Sequence, residues 1–119
     1  MGGRSSQGPR LGCAFYRTQS GHEPVRDWLR GLGKEVSKTI GSDILTVQWS
    51  WPVGKPLVDG LGSGLYEIRS THDRTEYRVF FCIAASKLLL LHGIVKKART
   101  TPKADLGLAR KHLREVVAP

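Results

Sequence analysis

The stretch LYEIRSTHDRTEYRVFFCIAASKLLLLHGIV, residues 65–95, decides the fold of this chain. Residues 65–70 alternate between apolar and polar side chains, residues 76–84 are rich in aromatic and β-branched side chains, and residues 88–95 are almost continuously apolar. The first two patterns are typical of strands, and the third is typical of a central strand. Because short polar turns separate the three segments, we expect an antiparallel meander.

Two helical patterns precede the meander. Glu23 and Pro24 mark the start of a first helix, because a carboxylate suits the positive end of the helix dipole and proline is tolerated in the first turn. Gly33 is the expected C-cap of this helix. A second helix is expected from Lys34 to the residues before Pro52, which stops it. One stripe of the second helix consists of Val36, Ile40, Ile44, Leu45 and Gln48.

The remaining segments complete an α+β domain. Residues 13–17 are apolar and aromatic, which favours a first strand, and the glycines of residues 53–64 favour a loop. Thr101 and Pro102 open a last helix as N-cap and first-turn proline. Its expected apolar face consists of Leu106, Ala109, Leu113 and Val116. The predicted order is therefore β-α-α-β-β-β-α, a small antiparallel sheet with an αα-hairpin and a C-terminal helix.

The composition indicates one globular domain. A length of 119 residues with 39% hydrophobic and 24% charged residues is typical of a single small domain. Residues 1–12 are rich in glycine, serine and arginine, so we expect a disordered leader before a domain that spans residues 13–119. The leader lacks the apolar segment of a secretory signal, and the apolar runs of the chain, such as residues 88–91, are too short to span a membrane. Because two cysteines are too few for a disulfide framework, we expect a reduced, cytoplasmic domain.

The chain is strongly basic, and the charge is unevenly distributed. It has 19 Lys and Arg against 10 Asp and Glu, a formal net charge of +9. Residues 96–103 contain no acidic residue and four cations, namely Lys96, Lys97, Arg99 and Lys103. Such a concentration favours a polyanionic partner, with nucleic acid as the first candidate. The alternative is a solvated basic face that keeps the protein soluble.

Motifs for metal-dependent or nucleotide-dependent catalysis are absent from the sequence. It has no Gly-rich phosphate loop, no GxGxxG and no HExxH. The carboxylates Glu67, Asp73 and Glu76 are scattered over two predicted strands and a turn. The sequence therefore predicts no metal site and no cofactor.

Strand geometry brings several cations together instead. If the strands that contain Arg69 and Arg78 pair through the intervening turn, the two arginines lie close across the ladder. The third strand of the meander then delivers Lys96 and Lys97 to the same end of the sheet. The candidates for contact with RNA are Lys96, Arg99, Lys103, Tyr66 and His92.

Such a cationic pocket can cleave RNA without a metal. The ribose 2′-hydroxyl attacks the adjacent phosphorus, so the substrate carries its own nucleophile. Guanidinium groups stabilise the charge that grows on the phosphoryl oxygens, because their donors reach two oxygens at once. A lysine, or His92 if it faces the cleft, can transfer protons.

Structural roles are the alternative for each of these residues. Arg69 and Arg78 can pair with neighbouring carboxylates, and the lysines can be solvated. Tyr66 and His92 can belong to the hydrophobic core.

Six short motifs occur in a characteristic order over roughly residues 15–117. They are EPVRDWL at residues 23–29, LYEIR at residues 65–69, YRVF at residues 77–80, LLHG at residues 90–93, KK at residues 96–97 and TP at residues 101–102. In these motifs the chain resembles the RelE/ParE superfamily of toxin–antitoxin toxins, and most closely the phage-derived, HigB-like branch.

The resemblance implies an mRNA interferase that acts on mRNA at the ribosome and is neutralised by an antitoxin, commonly a helix-turn-helix protein. Carried over by position, the catalytic residues would be Arg69, Arg78 and Lys97, with Lys96 holding the mRNA backbone. Glu67 stands where the best-known member has a lysine, and no tyrosine follows Pro102, so the resemblance leaves the proton-transfer groups open.

Two other functions remain compatible with this sequence. ParE-like toxins share the fold, bind DNA gyrase and cleave no RNA, so the fold alone does not separate the two activities. A basic RNA-binding module without catalytic activity is the third alternative.

Overall fold

A computed structural model describes residues 8–97, 99 and 101–117. This part of the chain contains five strands and three helices. In chain order they are β1 (Gly12–Phe15), α1 (Pro24–Gly31), α2 (Lys34–Ser50), β2 (Val58–Gly62), β3 (Leu65–His72), β4 (Thr75–Ala84), β5 (Lys87–Lys96) and α3 (Lys103–Val117). None of these helices is long and apolar enough to cross a membrane.

The strands form one sheet in the order β1-β5-β4-β3-β2. The antiparallel meander β3-β4-β5 and the α+β class are confirmed. The sheet is mixed rather than wholly antiparallel, because β1 runs parallel to β5. A strand of four residues carries no sequence signal for its partner or its direction, which explains why this pairing was not predicted.

The prediction of a loop at residues 53–64 was wrong, because this segment contains the edge strand β2. Val58 is buried and pairs with Ile68, whereas the register shifts between Gly60 and Gly62. This irregularity and the glycines hide the period-2 pattern of the strand.

The leader is also shorter than predicted. Leu11 is buried in the core, and its backbone N–H donates to the carbonyl oxygen of Gln48. Gly12 belongs to β1. The described chain therefore joins the fold at residue 11, and residues 1–7 of the predicted leader lie outside the described residues.

The helices cover opposite faces of the sheet. Along β4, Val79 and Phe81 join the core beneath α1 and α2, whereas Phe80 and Cys82 join the core beneath α3. The predicted face of α3 is confirmed, since Leu106, Ala109, Leu113 and Val116 all pack in that second core. Leu45 of α2 departs from the predicted stripe: it is 50% exposed.

A β-bulge sets the side-chain directions along β5. Leu88 and Leu90 belong to the core of α1 and α2, so simple alternation would direct Ile94 to the same core. The register shifts between Phe80 and Phe81 of β4, which leaves one extra residue in β5, and Ile94 packs beneath α3. Because the bulge reverses the alternation, the second half of β5 presents the opposite set of side chains to each face.

Polar contacts hold α3 at both ends. Near its start, His92 of β5 bonds to Asp105 at 2.8 Å. Near its end, the hydroxyl of Tyr16 donates to Glu115, and the Tyr16 ring stacks on His112 with centroids 4.2 Å apart. Burial, followed by the bond to Glu115 and its charge, raises the pKa of Tyr16 to about 12.

Gly93 is required where α1 crosses β5, because a Cβ there would overlap the Trp28 ring. We expect Gly93→Ala to lower the free energy of unfolding by about 2 kcal/mol, since the overlap forces Trp28 out of its position. Urea unfolding followed by Trp fluorescence measures the loss. Gly41→Ala is the matched control, because a Cβ in that part of α2 meets open space and should stabilise by up to about 1 kcal/mol. Equal effects of the two substitutions would contradict the close approach.

The bond from Tyr16 to Glu115 should make stability depend on alkaline pH. The raised pKa means that this contribution is complete below pH 10, the ordinary pKa of tyrosine, and is lost as the pH rises to about 12. We therefore expect Tyr16→Phe to cost about 1 kcal/mol at pH 8 and progressively less above pH 10, as measured by urea unfolding. A cost that does not change with pH would contradict the role of the hydroxyl.

Candidate functional site

The predicted arginine pair lies at the centre of the β3–β4 ladder, where Arg69 is directly opposite Arg78. Alternation places both on the face that α3 partly covers, together with Glu67 and Glu76, and register adds Asp59 of β2 and Lys96 of β5. We call this set the charged face. It is defined by Asp59, Glu67, Arg69, Glu76, Arg78 and Lys96.

Glu67 joins the two arginines. Its Oε2 accepts a hydrogen bond from Nε of Arg69 at 3.1 Å and lies 3.8 Å from Nε of Arg78. The Glu67 side chain is only 5% exposed. Arg69 also donates from an Nη atom to Asp59 at 2.9 Å. A buried carboxylate between two guanidinium groups therefore fixes their separation.

Arg78 is the more enclosed of the two arginines, with a side chain that is 7% exposed. One Nη donates to the carbonyl oxygen of Tyr77 at 3.3 Å, and the other donates to Glu76 at 2.7 Å. Nε of Arg78 and Oε1 of Glu67 are buried without a hydrogen-bond partner among the described residues. The pair thus retains unused hydrogen-bonding capacity beneath the surface.

Two grooves open at the charged face. The first, which we call the arginine groove, has a volume of about 400 Å³ and is lined by Arg69, Thr71, Glu76 and Arg78 among others. The second, the lysine groove, has a volume of about 770 Å³, and its charged lining consists of Arg74, Glu76, Lys96, Lys97 and Arg99. Because Glu76 lines both grooves, they are neighbours.

Glu76 differs from Glu67 in its exposure, since its side chain is 52% exposed. The hydrogen bond from Arg78 and the charge of Arg78 lower the pKa of Glu76, and Lys96 and Arg69 act in the same direction. Glu76 is therefore ionised at neutral pH and balances the charge of Arg78.

The lysine groove supplies the exposed cations. Lys97 and Arg99 are exposed, and the ammonium group of Lys96 donates to the carbonyl oxygen of Arg99. Lys103, the first residue of α3, is exposed but does not line either groove. Three of the four predicted basic residues of this segment therefore meet in one groove.

Two predicted RNA contacts lie elsewhere. Tyr66 is on the opposite face, stacked on Phe81 with centroids 5.4 Å apart and in edge contact with Trp51, because odd and even residues of β3 face opposite cores. His92 is on the α3 face but is held by Asp105 and stacks on Phe80. Tyr66 therefore has a core role, and His92 holds α3.

The sequence analysis did not predict the full role of the carboxylates in the charged face. Asp59 lies in a predicted loop, so nothing connected it with Arg69 before β2 was known. The pairing of Arg69 with Glu67 and of Arg78 with Glu76 was foreseen as an alternative to catalysis, because residues two apart on a strand share a face. Among the described residues, no group of three His, Cys, Asp or Glu side chains is arranged to hold a metal ion.

The mixed five-stranded sheet with helices on both faces is compatible with the RelE-like class of small α+β proteins. The sequence profile of the family described as phage-derived protein Gp49-like (DUF891) matches residues 27–114. This range is most of the chain, which therefore belongs to that family, a family of RelE-like toxins of toxin–antitoxin systems. Membership implies a cognate antitoxin as partner. Among curated proteins, none matches this sequence significantly.

The anchoring role of Glu67 can be tested by stability. We expect Glu67→Gln to lower the free energy of unfolding by about 2 kcal/mol, because it removes the charge that compensates the enclosed guanidinium of Arg78. Asp59→Asn is the matched control: Asp59 is more exposed and its partner Arg69 keeps Glu67, so we expect a loss below about 1 kcal/mol. Guanidinium chloride unfolding compares the two. Equal losses would show that Glu67 is an ordinary surface partner.

Proposed function

We propose that this protein is the toxin of a type II toxin–antitoxin system, of the HigB-like branch, and that it acts in the cytoplasm as a metal-independent mRNA endoribonuclease on the ribosome. A helix-turn-helix antitoxin is the proposed neutralising partner. The observation that supports this function is the meeting of Arg69, Arg78, Lys96 and Lys97 along two neighbouring grooves on one side of the sheet.

The proposed reaction uses the ribose as nucleophile. The 2′-oxygen forms a bond to phosphorus while the bond from phosphorus to the 5′-oxygen breaks, leaving a 2′,3′-cyclic phosphate and a 5′-hydroxyl. Arg78 stabilises the pentacovalent phosphate, and Arg69 adds to the positive potential. Lys97 serves in proton transfer, which moves the proton of the 2′-hydroxyl to a base and supplies one to the leaving 5′-oxygen.

The exposed cations bind the rest of the substrate. Lys96, Lys97 and Arg99 form a wide groove next to the arginines, and such a groove suits an RNA backbone that continues beyond the cleaved linkage. Lys103 extends the basic surface at the start of α3. This arrangement places phosphate stabilisation in the arginine groove, and backbone binding together with the proton-transfer residue Lys97 in the lysine groove.

Glu67 is proposed as a positioning residue. It touches both arginines but its side chain is almost fully buried, so it holds the guanidinium groups rather than contacting RNA. The same contact explains how two positive charges remain side by side on adjacent strands, because the shared carboxylate offsets their repulsion.

Growth and transcript mapping test the assignment. We expect Arg78→Lys, which keeps the charge but loses the forked donors, and Lys97→Ala to reduce cleavage at least about 100-fold. Lys38→Ala is the matched control, since Lys38 is an exposed cation on α2, which packs against the other face of the sheet. The control should arrest growth as the unchanged protein does, and chelation of divalent metals should leave cleavage unchanged.

Expression of the unchanged protein should yield mRNA fragments with cyclic phosphate ends. Growth arrest with intact transcripts and broken DNA would instead show a gyrase poison. Harmless expression would favour a non-catalytic RNA-binding module.

A further inference from the structure

Glu76 accepts a hydrogen bond from the outward-facing N–H of Arg78, the arginine proposed to stabilise the scissile phosphate. Its carboxylate accepts from Nη of Arg78 at 2.7 Å, a short charge-assisted hydrogen bond. The other contacts of Arg78, with the carbonyl oxygen of Tyr77 and with Glu67, lie within the protein. Among these contacts of Arg78, Glu76 is the exposed partner.

The exposed fractions of the side chains show which contact of Arg78 can be replaced by another ligand. The Arg78 side chain is 7% exposed and that of Glu67 5%, whereas that of Glu76 is 52% exposed. An exposed carboxylate can leave Arg78 by side-chain rotation alone, without movement of the strand. A carboxylate and a phosphodiester offer the same guanidinium two acceptor oxygens, so one can replace the other.

A second cation lies directly opposite the displaced carboxylate on the neighbouring strand. Glu76 is directly opposite Lys96 in the β4–β5 ladder, and both line the lysine groove. Opposite charges at directly paired positions attract each other. Glu76 can thus exchange Arg78 for Lys96, which reduces the cost of releasing the arginine to a substrate.

We propose that the Glu76 carboxylate occupies the phosphate position on Arg78 in the free protein and competes with the RNA phosphodiester for it, so that Glu76 sets the affinity for RNA. This inference rests on the proposed function, because it takes the ligand of Arg78 to be a phosphodiester. The lowered pKa of Glu76 agrees with it, since the competing group stays ionised at neutral pH.

The test measures binding of a short single-stranded RNA in which 2′-deoxy nucleotides prevent cleavage. Fluorescence anisotropy at about 0.15 M salt compares the unchanged protein with Glu76→Gln, for which we expect affinity to rise about tenfold, the effect of losing one charged competitor. Asp73→Asn is the matched control. It removes the same charge from the same hairpin, but Asp73 is 93% exposed and its recorded ion-pair contact is with His72, so we expect a rise below about threefold.

A second variant separates the effect of the contact between Glu76 and Arg78 from the effect of the negative charge. Glu76→Asp keeps the negative charge but is one methylene shorter, so it should hold Arg78 less well and bind the RNA more tightly than the unchanged protein. If both Glu76 variants bind the RNA no more tightly than Asp73→Asn does, Glu76 is not a competitor and the inference is overturned.

Failure of this inference can be distinguished from failure of the proposed function. Tighter binding by Glu76→Gln together with no cleavage by the unchanged protein would uphold the competition and reject the ribonuclease. Cleavage that depends on Arg78 together with unaltered binding by both Glu76 variants would do the reverse.

Discussion

The buried carboxylate of Glu67 is the contact on which the charged face depends. Two arginines directly opposite each other in an antiparallel ladder repel, and their positions are stable here because one Glu67 oxygen lies 3.1 Å from Nε of Arg69 and 3.8 Å from Nε of Arg78. The arrangement also orients the guanidinium groups, since each is held from the protein side. The two guanidinium groups are thus arranged around a negative charge that is buried beneath them.

The overall charge of the chain conceals this local balance. A net charge of +9 suggests an unopposed cationic surface, yet the charged face sets Asp59, Glu67 and Glu76 against Arg69, Arg78 and Lys96. Further cations lie at its border, in the lysine groove, where Lys97 and Arg99 are exposed. In the proposed function, long-range attraction of a polyanion and local stabilisation of one phosphate would therefore be carried by different residues.

Local patterns in the sequence were sufficient for the meander, for α2 and α3, and for the pairing of Arg69 with Arg78, because alternation and turn length determine register in hairpins. They were not sufficient for β2, whose glycines interrupt the alternation, or for the parallel pairing of β1 with β5, which joins segments far apart in the chain. Tyr66, a predicted RNA contact, stacks on Phe81 on the face opposite Arg69, as the alternation along the strand indicates. Asp59 was missed for the same reason as β2.

The bulge in β5 makes the side-chain directions along this strand depend on its length. It reverses the alternation between Leu90 and Ile94, and thereby puts Lys96 on the side of Arg78. Substitutions among the leucines of this strand change packing locally, but a single-codon deletion there would turn every later side chain of the strand over. Lys96 would then point toward the helical hairpin and Val95 toward the charged face, although the hydrophobicity of the strand would hardly alter. The length of this strand is thus under stricter constraint than its composition.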